Sequence, residues 1–277
     1  MSGALGAADV DAYLRRIGWR RDVRTDLATL QGLHAAHVAA IPFENLDVRW
    51  GKAIPLDAAS LVAKLVHAQR GGYCFEQNGL FAAVLRTLGF DVRPLGARVR
   101  YRATRTLPRT HHLLLVTLDG ERLVADVGFG GQTLLEPVPL VAERPVAQSG
   151  WRYRLARDDD AWVLQLADAE RWVDLYAFTL EAQLPADLEM ANWYVATHPQ
   201  SRFVQTLTVQ RATREARHVV QNLDYTIDRG NGDVAVRTLD EPALLALLRT
   251  EFALALPDGA KLPLPAVAQG APTTPAV

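Results

Sequence analysis

The chain changes texture near residue 91, and that change limits what it can fold into. Up to residue 90 the apolar residues recur at helical spacing, and beyond it they fall into short runs between polar turns. Val10, Tyr13, Leu14 and Ile17 share one helical face, and Gly18 supplies a stop. A second helix is predicted from Thr25 to Ala39, ahead of Pro42. A third starts near Asp57, sets Leu61, Leu65 and Val66 on one side, and breaks at Gly71-Gly72. A fourth opens at Tyr73 or Cys74, carries Phe81, Leu85 and Leu88 on one stripe, and ends at Gly89. Then follow "ARVRY", "HLLLVTL", "RLVADV", "WRYRLA", "WVLQLA" and "RWVDLYAF", evenly spaced short strands that suit a barrel or meander. "RDDDA" at 157–161 reads as a solvated hairpin tip.

A second strand group ("FVQTLTVQRA", "HVVQNLDYTID", "DVAVRTL") precedes a helix from Asp240. That helix has Pro242 in its first turn and Leu244, Leu245, Leu248 and Phe252 as its apolar face. The last 21 residues hold five of the 15 prolines and read as an extended, loosely ordered tail. The fold class is therefore α+β, with helices first and strands after.

Net charge is −1, which gives no electrostatic case for nucleic acid or an anionic membrane as partner. A hydrophobic content of 49% supports a sizeable core, while no apolar run approaches membrane-spanning length. The single cysteine forms no internal disulfide and no Cys/His zinc pattern, so a reducing, cytoplasmic setting without metal is expected. No leader pattern opens the chain, and no oligomeric state is legible.

That cysteine sits in "RGGYCFEQNGLF", directly behind two glycines. A lone cysteine is most often a small buried hydrophobe. Here it falls at a helix N-terminus, where unpaired N–H groups and the helix dipole stabilise a thiolate. The glycines allow a tight turn and close approach of a ligand. Cys74 is thus a candidate nucleophile, and a nucleophile needs a base.

Of seven histidines, the pair in "RTHHLLLVTLDGERLVADVGFGG" has a partner within reach. Asp119-Gly120 is a strong type I′ hairpin signal. With Leu118 opposite Glu121, Asp126 falls opposite Leu113, and alternation puts His111 on their face while His112 points away. His111 and Asp126 are then diagonal neighbours. A three-residue loop would select His112 instead. Asp126 could alternatively cap the turn through "GFGG", but in the functional reading it orients His111, whose other nitrogen faces Cys74.

At this point the residues resemble the arylamine N-acetyltransferases. The matches are "IPFENLDV" (41–48), "RGGYCFEQNGLF" (70–81), "THHLLLV" (110–116) and "DVGFGGQTL" (126–134), in the family's order. The resemblance implies a helical domain over 1–90 carrying Cys74, a β-barrel over 91–200 carrying His111 and Asp126, and an α/β lid over 201–277. Its core is similar to that of cysteine proteases and transglutaminases. It also implies acetyl transfer from acetyl-CoA, through the thiol, to an arylamine, arylhydrazine or N-hydroxyarylamine.

By the same resemblance Phe43 and Phe129 line the acceptor pocket, and Thr110, Gly130 and Gly131 lie along the CoA path. Glu44 and Arg70 pair to hold the cysteine segment. His34 and His37, at i and i+3, lack a third ligand and read as core or surface residues. Amide synthases that close macrolactams share the constellation and are the alternative. Hydrolysis by a protease-like or transglutaminase-like enzyme ranks third, and a non-catalytic protein with a core cysteine last.

Overall fold

The computed structural model describes residues 5–230, 232–257 and 259–264. Helix α1 (Ala7–Arg16) buries Val10 and Tyr13 and is closed by Gly18 at φ 70°. Helix α2 (Leu27–Ala40) starts two residues later than the sequence suggested, because Asp26 caps it by accepting the Thr29 N–H at 2.8 Å. "IPFENLDV" forms strand β1 (Phe43–Glu44) and helix α3 (Leu46–Arg49), two short elements that periodicity cannot reveal. Helix α4 (Ala58–Leu61), capped by Asp57, widens into a π-helical turn, Val62–His67.

That turn corrects the predicted third helix, which ends before Gly71-Gly72 and not at it. The wide turn closes with Ala68 N–H bonded to Ala63 O, and Gln69 follows at φ 49°. The glycines are needed for close packing. A Cβ on Gly71 would lie 2.1 Å from the Pro42 carbonyl oxygen, and one on Gly72 would lie 2.7 Å from Glu76 Oε2. Helix α5 (Cys74–Thr87) then begins where the sequence placed it, and eleven of its 14 residues are buried. A helix enclosed on all sides is a core element, and everything at the site is hung around this one.

Eight strands follow, of which β2 and β3 pack against it: β2 (Asp91–Val99), β3 (Arg109–Leu118), β4 (Glu121–Ala125), β5 (Val138–Pro139), β6 (Val146–Gln148), β7 (Trp151–Asp158), β8 (Ala161–Asp168) and β9 (Arg171–Ala182). Their order, β5-β4-β3-β2-β9-β8-β7-β6, makes a nearly closed antiparallel barrel. The β3–β4 turn has Asp119 and Gly120 at φ 50° and 82°, as type I′ requires, and Leu118 pairs with Glu121 as predicted. The ladder stops at Leu114 opposite Ala125, so Asp126 is not paired with Leu113. Its backbone is committed elsewhere: its N–H goes to His34 and its carbonyl accepts from Thr133 Oγ1 at 2.9 Å. The "RDDDA" tip is an exposed hairpin turn, with Asp158 opposite Ala161.

Helix α6 (Pro185–Thr197) was not anticipated, and "FVQTLTVQRA" is strand only in its second half. Its first residues belong to helix α7 (Arg202–Gln205), capped by Ser201. Strands β10 (Thr208–Ala212), β11 (Arg217–Gln221), β12 (Asp224–Asp228) and β13 (Val234–Thr238) join β1 in a second sheet, order β1-β10-β11-β12-β13. "HVVQNLDYTID" is a hairpin turning at Asn222, φ 55°. Helix α8 (Glu241–Thr250) has Asp240 as its cap and buries Leu244 and Leu248, with Phe252 beyond its end, against Leu207, Val209 and Val220. Most of the predicted tail lies outside the described residues. Among the described residues no helix is long and apolar enough to cross a membrane.

Candidate active site

Cys74 is the first residue of α5 and is 3% exposed. Its sulfur lies 3.7 Å from the Thr110 carbonyl oxygen on β3. The next residue, His111, points into the same space, and His112 turns to the opposite face and stacks on Phe75. His111 Nε2 is 2.7 Å from Asp126 Oδ2, which leaves Nδ1 for the thiol. Burial alone would lower the His111 pKa. The charge and hydrogen bond of Asp126, together with Cys74 beside the ring, raise it to about 10. Burial likewise works against the Asp126 carboxylate, but His111, Asn78 and the Gly128 N–H hold it below its usual range. Both shifts favour the imidazolium–carboxylate form of the pair.

Asp126 is held from several elements. Its Oδ1 accepts from Asn78 Nδ2 on α5 and from the Gly128 N–H, each at 2.9 Å. Its own N–H donates to His34 Nε2 at 3.1 Å, and His34 Nδ1 donates to the Leu135 carbonyl at 3.1 Å. Burial brings the His34 pKa down to about 4, so the ring stays neutral and can accept. His37 is also fully buried, between the Tyr13 hydroxyl and Gln77 Oε1. Both are core residues, and among the described residues no His/Cys/Asp/Glu group could hold a metal ion.

The 128–133 loop is pinned by the second sheet. The Gly131 N–H donates to Gln210 Oε1, and the buried Arg217 guanidinium donates to Gln132 Oε1 and the Tyr153 hydroxyl. Gly130 sits at φ 89°, where a Cβ would fall 2.0 Å from Gln210 Oε1. It therefore faces Gln210, while Gly128, Phe129 and Gly131 form the wall of the cavity.

That cavity, about 360 Å³, opens over Cys74, Thr110 and His111. Phe43, Phe129, Tyr194 and Phe203 give it aromatic walls, and Arg102, Arg105 and Arg202 also border it. Phe129 meets His111 edge to face at 5.1 Å. Arg70 bonds Glu44 at 2.6 Å and so joins the glycine turn before Cys74 to β1. Sequence reasoning brought forward Cys74, His111, Asp126, Phe43, Phe129, Thr110 and Gly131, which the fold gathers here. It missed Asn78, His34, Gln210 and Tyr194. Only Asn78 carried a signal: it is polar, in an apolar helix, one turn beyond the cysteine.

The geometry has counterparts. A family model described as N-acetyltransferase matches residues 26–261. The chain is 42% identical over 249 residues to an arylamine N-acetyltransferase of Escherichia coli (strain K12), with 89% of each chain covered. It is 41% identical to one from Mycolicibacterium smegmatis, covering 91% of this chain and 94% of that one. The structure of the Salmonella typhimurium arylamine N-acetyltransferase superposes with a TM-score of 0.87 at 39% identity, over 91% of this chain and 93% of that one. That of the Mycobacterium marinum enzyme in complex with CoA gives 0.85 at 35% identity, over 89% and 93%. With identity at this level along nearly the whole chain, and with the fold shared, the protein belongs to the arylamine N-acetyltransferase family and is an acyltransferase.

Proposed function

We propose that the chain carries acetyl from acetyl-CoA to the nitrogen of an arylamine, arylhydrazine or N-hydroxyarylamine in two steps through acetyl-Cys74. One observation carries this reading: the thiol at the head of α5 shares a cavity floor with a histidine that Asp126 keeps charged. An imidazolium beside a thiol favours the thiolate, which is the nucleophilic form.

In the first step the thiolate attacks the thioester carbonyl. The backbone N–H of Cys74, at the helix N-terminus, is oriented to stabilise the developing oxyanion. As the intermediate collapses, CoA leaves as a thiolate and takes the proton from His111. The product is acetyl-Cys74 beside a neutral imidazole. In the second step the amine nitrogen attacks the acetyl group, and His111 removes its proton. Collapse expels the Cys74 thiolate and restores the imidazolium, so charge and protons balance over the cycle.

The walls support the choice of substrates. Phe43, Phe129 and Phe203 offer aromatic faces to an aryl ring, and Gly131 lets an extended chain pass close to backbone. The arginines bordering the cavity suit the phosphates of CoA.

Intact-protein mass spectrometry after brief exposure to acetyl-CoA tests the reading. One acetyl group on Cys74, discharged by an aminobenzoate, is the expected result. A reactive thiol that gains no acetyl would redirect the search to another acyl donor, and an inert thiol would end the acyltransfer mechanism.

A further inference from the structure

Asn78 is fully buried and lies one helical turn beyond Cys74. Asparagine is a poor residue for the middle of a helix, and burying an amide costs unless its hydrogen bonds are made. Here they are made across three elements. Nδ2 donates to Asp126 Oδ1 at 2.9 Å and to the His112 carbonyl at 2.7 Å, while Oδ1 accepts the Val127 N–H at 3.1 Å. Both N–H groups and the carbonyl oxygen are therefore engaged. The approach is close enough that a Cβ on Gly128 would lie 2.7 Å from Asn78 Nδ2 and 2.8 Å from the Cys74 Cα.

We propose that Asn78 is a positioning residue for the transfer, which fixes the plane of the Asp126 carboxylate and locks the helix bearing Cys74 to the strands bearing His111 and Asp126. The inference rests on the Cys–His–Asp reading above. The geometry shows how it operates. With Oδ1 held by Asn78 and Gly128, the carboxylate cannot turn about its Cβ–Cγ bond without losing a donor, and Oδ2 is left facing His111. The bond from Asn78 to the His112 carbonyl sets β3 at the residue next to His111. The bond from Val127 does the same beside Asp126. Asn78 acts through Asp126, not on the thiol.

The test is Asn78→Asp, which keeps the size and can still accept from Val127 but has no N–H to give. It also sets a second carboxylate against Asp126, and two adjacent carboxylates do not both stay ionised. The single-turnover acetylation of Cys74 is expected to slow by about tenfold or more, with the KM for acetyl-CoA changed less than about threefold. The alkaline limb of the rate profile is expected to move down by about one pH unit or more, because the proton the two carboxylates share lies partly on Asp126 and moves the remaining negative charge away from His111. Asn78→Ser, which cannot reach Asp126, is expected to shift the limb in the same direction. A lowered thermal midpoint with an unmoved pH profile would overturn the proposal and leave Asn78 as core packing.

The wild-type chain provides a check that does not depend on the variants folding. In 15N-labelled protein the Asn78 side-chain amide is expected to titrate with the same midpoint as the His111 ring. An amide indifferent to that titration overturns the proposal. If wild-type Cys74 takes no acetyl and is inert to alkylation, the acyl-transfer reading fails on its own, and the amide titration still decides the placement of Asn78.

Discussion

The backbone N–H of Asp126 donates to His34 Nε2 at 3.1 Å, across 92 residues of chain. An imidazole accepts at that atom only while neutral, and its other nitrogen already donates to Leu135. A histidine from α2, outside every motif, thus sets the backbone of the residue that charges His111.

The same constraint makes the fold sensitive to acid. Burial lowers the pKa of His34 to about 4 and those of His37 and His112 to about 3. Below about pH 6.5 the unfolded chain binds protons at these positions that the folded chain refuses, so stability falls as pH falls. Each histidine contributes a slope of roughly 1.4 kcal/mol per pH unit over that window. His111 has the opposite sign: its raised pKa contributes stability below about pH 6.5 that is lost as pH rises through about 10. Urea midpoints measured from pH 4 to pH 10 should therefore peak near neutrality. A midpoint that held steady from pH 6.5 down to 4.5 would contradict the neutral burial of these rings.

Asp126→Asn removes the charge that keeps His111 protonated while leaving a residue of the same shape. Cys74 acetylation is expected to fall by about 10³-fold or more, as when an orienting carboxylate is neutralised elsewhere. Stopped-flow single-turnover rates across pH provide the measurement. Loss of only a few-fold would mean that the thiol does not depend on the pair.

The Glu44–Arg70 pair is nearly closed to solvent, with side-chain exposures of 0% and 11%, and Glu44 Oε2 also accepts the Leu46 N–H at 2.7 Å. Arg70→Met strands a buried carboxylate and is expected to cost about 3 kcal/mol in urea unfolding. Near-native stability would show that Lys64 or solvent reorganises to compensate.

Two glycines separate packing from turn geometry. Gly128→Ala forces a methyl to 2.8 Å from the Cys74 Cα, and a displacement of that size in a site is expected to lower kcat by about 10²-fold. Gly120→Ala meets no atom within 4 Å but must hold φ 82°, which costs about 1 kcal/mol of stability with activity unchanged. Equal losses of activity in the two would refute the distinction.

Helices α1, α2, α5 and α8 and the β3–β4 hairpin were legible because each rests on local signals. Helical spacing before Gly18 and Gly89, and Asp119-Gly120 between apolar runs, set register without reference to the rest of the chain. His111 could be chosen over His112 by alternation once the two-residue turn had set the register. What stayed hidden depends on distant partners. The Asp126 backbone leaves its ladder because His34 and Thr133 take its hydrogen bonds, and no local rule contains that. Strand β1 is two residues long and is held by distant partners, β10 on one side and Gly72 on the other. Helix α6 mixes buried Leu188 and Val195 with exposed Met190 and Trp193, so its apolar pattern points in no single direction.

The pairing of β1 with β10 bears on the order in which the site comes into being. Asn45 Oδ1 accepts from the Thr208 N–H, 163 residues later, and Gln210 holds the loop beyond Asp126. A ribosome releases Cys74, His111 and Asp126 long before either partner exists. During synthesis the Cys74 thiol is therefore present without the clamp that closes its surroundings, and the finished cavity dates from the emergence of the chain's last third.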